Sequence, residues 1–401
     1  MRTISPRARA ARDEGREWMQ WLTARSLRDL RLPLFWLGLA LPVCFVAGIT
    51  GASIPTQGPL LSIVLSIAWW KNGSPFHWIA ITILSYAALS LLWAVNPIDS
   101  AFGLWQVALW ALGFWLGTAH ASLGPLWRGM AVGLGVSSAV AVAQACGWNA
   151  IPVYDHPAGL LYSGSMQSAM IALVALALVC DRAWLYLPAM APGFYLAHSR
   201  GGWLILVIGL LTRIEWTVAA FALLAAGVVV FVDPGESDQF RMLDWSIAAH
   251  SLHLFGSGIG SFIDVLYQIP GEPGLHPVWV HNDYLQLAFE LGVGAIPIYL
   301  VIARCLARTE AHYWPVFVAF ATLALFFFPL YSAALAFVGT VVAGHMLRGD
   351  DPGWLAGVLR RSALMAWLRH RQHARDETRG AAVSDLAGIA PEERSALDAA
   401  L

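Results

Sequence analysis

Long apolar stretches alternate with short polar breaks from Leu32 to Leu347. Stretches that approach the length of a bilayer core, with charges confined to their ends, predict membrane-crossing helices. The pattern predicts an all-α, polytopic transmembrane helical protein of about twelve spans. They fall at about 32–50, 57–70, 77–95, 101–118, 127–146, 164–180, 183–198, 201–212, 215–232, 283–303, 313–328 and 331–347. The seventh contains Pro188 and Pro192, so a kink or break is expected there. One polar interruption is long. Residues 233–280 predict a helical loop of about fifty residues outside the membrane.

Charge orients this scheme. Residues 1–31 carry eight arginines and form a basic N-terminal segment. Residues 348–401 form a tail with an amphipathic stretch, Trp354–Trp367, and a mobile end. By the positive-inside rule both termini are expected on the cytoplasmic side. Lys71, Arg128, Arg182, Arg213, Arg304, Arg308 and Arg348 then fall on that side as well, and only Arg200 and Arg241 fall opposite. Composition agrees: 58% of the 401 residues are hydrophobic and 12% charged, well below the charge of an ordinary soluble domain. A formal net charge of −1 gives no case for nucleic acid. Four scattered cysteines suggest neither a disulfide framework nor a metal site. The first span lacks the cleavage signal of a removable leader.

The two outer cations need a reason to be there. Arg200 sits in His198-Ser199-Arg200-Gly201-Gly202, where a glycine pair opens a helix whose free N–H groups suit an anion. A loop arginine reaching for lipid headgroups is the plainer alternative. Arg241, Trp245 and Ala248 are spaced to share a helical face, extended by Leu252 and Phe255. Gly256-Ser257-Gly258-Ile259-Gly260 then reads as a tight turn and not as a nucleotide fingerprint. His281 and Asn282 stand where the polar loop enters the next apolar helix, along which Asn282, Gln286 and Glu290 form a polar stripe. Glu290 in hydrocarbon demands a partner or a proton, so the stripe is expected to support the site. His281 has the chemistry of a general base near neutral pH. The spacing of His250, His253 and His276 matches no strong zinc signature.

Two arginines and one base suit group transfer from a phosphate-linked donor, the cations holding the leaving pyrophosphate. No nucleotide-binding domain is evident, so the donor is expected to be a lipid-borne, pre-activated molecule.

Three motifs carry a resemblance. They are Ser199-Arg200-Gly201-Gly202, then Arg241 with Trp245 followed by the glycine turn, and most specifically His281-Asn282-Asp283-Tyr284-Leu285-Gln286 with Glu290-Leu291-Gly292. In these the chain resembles the O-antigen ligase and polymerase superfamily of bacterial inner-membrane proteins, over residues 32–347. The resemblance implies metal-independent, cofactor-free, inverting transfer of a glycan from undecaprenyl pyrophosphate at the periplasmic face. It implies pyrophosphate binding by Arg200 and Arg241 and acceptor activation by His281. The supporting residues would be Asn282, Gln286, Glu290, Trp245 and Ser199. Ligation to lipid A-core is the first expectation. Polymerisation of lipid-linked repeat units is the second, and a transporter of an anionic lipid-linked glycan is the alternative from another class.

Overall fold

The computed structural model describes residues 33–44, 78–148, 156–161, 163–213, 236–262, 264 and 280–348, all within a compact unit Met1–Gly349. The chain after Gly349 and the segments predicted as spans at about 57–70 and 215–232 lie outside the described residues.

The described elements are all helical. They are α1 (Pro33–Cys44), α2 (Trp78–Ser90), α3 (Pro97–Ala119), α4 (Gly124–Ala145), α5 (Gly164–Cys180), α6 (Leu187–Leu196), α7 (Arg200–Leu211), α8 (Glu236–His250), α9 (Asp283–Leu291), α10 (Ile296–Leu306), α11 (Trp314–Phe326) and α12 (Ala333–Met346). Capping chemistry sets several of the starts. Asn96 accepts the Ile98 N–H ahead of Pro97, and Ser163, Ser199 and Asn282 cap α5, α7 and α9 in the same way.

The twelve-span expectation is overturned. Among the described residues only three helical runs are long and apolar enough to cross a membrane: Pro97–Ala119, Gly124–Ala145 and Asp283–Leu306. The other apolar helices that begin near Ala80, Gly164, Arg200, Trp314 and Ala333 have 10–17 residues. At about 1.5 Å per residue these reach roughly 15–26 Å, short of a hydrocarbon core of about 30 Å. Several of the apolar runs are themselves shorter than a bilayer core, and caps and turns consume the ends of others. The predicted seventh span, for example, divides into a 3₁₀ turn at Trp184–Tyr186 and the ten-residue α6 with Pro192 inside. Several long apolar helices remain, as in a multi-pass membrane protein.

The loop expected at 233–280 is corrected too. Among the described residues no periplasmic loop is identified; the described part of 233–280 is integrated into the helical unit. The face of α8 carrying Ala248 packs with Phe262, Val280 and Phe289 in one buried cluster, against which Trp245, Ile247 and Leu285 lie. The glycine turn after it is a strap, not a surface loop. Ser257 and Gly258 donate to the carbonyls of Phe289 and Glu290 at 3.0 Å, and Val95 donates to Ser257. Leu252 and Phe255, expected to extend the buried face, lie past the end of α8 and are exposed.

Close helix packing uses glycine. A Cβ on Gly129 would meet the Phe35 carbonyl at 2.1 Å, and one on Gly344 would meet that of Phe114 at 1.9 Å. α4 thereby seats α1, and α3 runs beside α12.

The unit has two chemically different ends. At one, the Asp181 carboxylate meets both His312 and Tyr313 at 2.9 Å, and the Tyr313 ring lies 5.3 Å from that of His345. Arg308 donates to the Met346 carbonyl there, and Arg348 lies close enough to act on His120. This end gathers the starts of α4 and α11 with the finishes of α3, α5, α10 and α12. The opposite end holds the starts of α3, α9 and α12, tied to the glycine strap and to Leu330.

Candidate functional site

His281 lies at that opposite end, one residue before the cap of α9. Its φ is +55°, a left-handed conformation that costs a residue other than glycine roughly 1–3 kcal/mol. What holds it there is the residue on either side. Val280 is fully buried and donates to Gln286 Oε1 at 3.1 Å, while Asn282 turns its side chain inward to accept from the Leu285 N–H. The imidazole meets Phe328 edge to face, with centroids 5.2 Å apart.

Nδ1 of His281 is 4.0 Å from Oδ2 of Asp244. The His281 side chain keeps 20% of its surface in contact with solvent, and that of Asp244 keeps 2%. α8 delivers Asp244 because the same helical face carries Ala248 into the buried cluster. Burial pushes the Asp244 carboxyl up to about 7. The pair therefore has a half-open imidazole with a buried acid at ion-pair distance, beyond hydrogen-bond reach, where the ionised carboxylate favours the protonated imidazole.

Behind the pair is a fully buried polar network. Gln286 Nε2 donates to Glu290 Oε1 at 2.9 Å, and the Tyr331 hydroxyl donates to Glu290 Oε2 at 2.7 Å. The N–H groups of Gly260 and Phe262 also reach Glu290. Asp283 accepts from the Leu330 N–H at 2.7 Å, and the Leu330 carbonyl accepts from Gln106 and Trp110. Glu290 and Asp283 thus pin α9 to the strap, to α3 and to the turn before α12. Gln286 is committed to the Val280 N–H and the Glu290 carboxylate, and Asn282 Oδ1 to the Leu285 N–H, so both position His281.

The two arginines arrive by different routes. Arg241 is half-buried on α8, one turn before Asp244, and Trp245 packs against the cluster that seats α8 on α9. Arg200 is the first residue of α7 and is exposed, while Ser199 accepts the Gly202 N–H at 3.3 Å. α7 runs parallel to α5, since a Cβ on Gly202 would meet Ser168 and one on Gly209 would meet Leu176. Arg200 therefore lies at the same end as His281. It stands on helices α5 and α11, whereas Arg241, Trp245 and His281 share the α8–α9 packing.

Sequence reasoning missed Asp244, Asp283 and Tyr331. Asp244 had a usable signal: it lies three residues after Arg241 on the face assigned to the site. Among the described residues no group of three His, Cys, Asp or Glu could hold a metal ion. His276 lies outside them. No protein-family model matches this chain. No curated protein matches it either. Neither comparison supports the expected O-antigen ligase or glycosyltransferase assignment, and the resemblance rests on the motifs alone.

Proposed function

We propose that this chain transfers a glycan from an undecaprenyl-pyrophosphate donor to an acceptor hydroxyl, with His281 as general base. The acceptor oxygen attacks the anomeric carbon as the bond to the pyrophosphate oxygen breaks. The hydroxyl proton passes to His281, whose positive charge is balanced by ionised Asp244. Arg200 and Arg241 neutralise the departing pyrophosphate. Attack opposite the leaving group inverts the configuration.

The observation that carries the reading is the His281–Asp244 pair, held by a strained backbone at a capped helix start. The two arginines at the same end supply the charge that a pyrophosphate requires. We place the protein in a bacterial inner membrane with this end on the periplasmic face, away from the arginine-rich end. Lipid A-core is the acceptor this reading favours.

The test is reconstitution in vesicles with undecaprenyl-pyrophosphate glycan, a chelator, and either lipid A-core or a second donor molecule as acceptor. Transfer is expected without added metal, and one-step product separates ligation from chain growth. His281→Ala is expected to lower the rate about 10²–10⁴-fold while donor binding persists. Full transfer by that variant would overturn the proposal.

A further inference from the structure

The end remote from His281 carries a polar cavity of about 420 Å³, whose lining includes Ser122, Gly124, Arg128, Asp181, Arg182 and His312. Its walls come from the start of α4, the finish of α5 and the approach to α11. Arg128 is 6% exposed, so its guanidinium is held inside the protein. Asp181 is shared between His312 and Tyr313. Arg128 and Arg182 line the cavity beside that carboxylate.

Arg182 is the unusual member. It follows the end of α5 with φ +56°, while Ala183 N–H closes back on Leu178 O at 2.8 Å. This is the helix-ending position where glycine is ordinarily found, because an L side chain is strained there. Here the position carries an exposed cation that lines the cavity. The next two described side chains of interest, Trp184 and Leu185, are 57% and 58% exposed. Large apolar side chains beside a cationic pocket suit a membrane interface, with a headgroup in the pocket and acyl chains alongside.

We propose that this cavity binds a phosphate group, with Arg128 and Arg182 as its principal contacts. It is separate from the His281 site and does not depend on the transfer reading. Two sources share the chemistry: the headgroup of an anionic phospholipid and free phosphate.

The experiment uses the full chain in nanodiscs of phosphatidylcholine, with and without phosphatidylglycerol, and a third arm with millimolar inorganic phosphate. Retained lipid is counted by native mass spectrometry, and thermal midpoints are measured in each arm. Arg182→Gly is the informative variant, because it removes the charge and also relieves the backbone, so it folds at least as well. Retention of phosphatidylglycerol, or stabilisation by inorganic phosphate, is expected in the parent chain and reduced at least fivefold in Arg182→Gly and in Arg182→Gly with His312→Gln. Phosphatidylglycerol acting alone assigns the site to a lipid headgroup. An equal effect of inorganic phosphate assigns it to a free anion. Retention unchanged in both variants, or equal retention of phosphatidylcholine, overturns the proposal.

Discussion

Asp244 decides the chemistry of its neighbour by its own ionisation. Folding raises its pKa from the ordinary carboxylate range to about 7. Between roughly pH 4 and pH 7 the folded state therefore holds a proton that the unfolded chain has released. The folded state loses stability as pH rises through that window. Asp244→Asn removes this group's share of the slope, so its thermal midpoint is expected to fall less between pH 5 and 8 than that of the parent. Activity has the opposite dependence. Ionised Asp244 is the form that supports a protonated His281, so transfer is expected to rise with pH through about 7. The asparagine variant should lose that rise together with most of its rate. A rate profile unchanged by Asp244→Asn would leave the acid as a packing residue. Arg200→Lys makes a complementary test on the donor side, since a lysine cannot supply the planar fork. Weaker donor saturation is expected, with the pH profile unaltered.

At the scale of elements, the glycine strap explains why α8 and α9 stay in register. Gly256 has φ +74°, and a Cβ there would meet the Glu290 carbonyl oxygen at 2.2 Å. Gly256→Ala combines a strained backbone, about 1–3 kcal/mol, with overpacking of similar size. A loss of about 3 kcal/mol or more is expected, read as a fall in thermal midpoint with transfer lost in parallel. The sequence offered little of this. Period and hydrophobicity located the helices of 78–119, 124–145, 164–180 and 283–306 within a few residues, because those signals are local. Asn96, Ser163, Ser199 and Asn282 were legible polar punctuation at the helix starts. The strap was not legible, because its partners are carbonyls some thirty residues away, and no side-chain pattern marks a main-chain acceptor. The contacts of Asp283 with Leu330 and of Glu290 with Tyr331 were hidden for the same reason, being set by how α9 meets the turn before α12. Span lengths failed because hydropathy reads a segment's apolarity and not where its last hydrogen-bonded turn stops.

For the whole molecule, the separation of its two ends carries the functional argument, since a lipid-linked donor and a headgroup site would engage opposite faces. α3 is the element best suited to testing that separation. It has 23 residues and qualifies by length and composition to cross a membrane, spanning about 34 Å at 1.5 Å per residue. Asn96 and Asp99 at its start belong to the His281 end through the strap, and His120 at its finish belongs to the arginine-rich end. Ile98 is 70% exposed, and Ser122 is exposed just beyond the finish. α4 returns the chain, so exposed Cys146 is expected on the same side as Ile98. In sealed vesicles a membrane-impermeant maleimide should label Cys146 from one face only. With the native cysteines replaced, Ile98→Cys should react from that face and Ser122→Cys from the other. Labelling of Ile98→Cys and Ser122→Cys from a single face would mean that α3 lies along the membrane. The His281 pair and the Arg128 cavity would then share one aqueous compartment, and a donor held across the bilayer from the basic end would no longer be tenable.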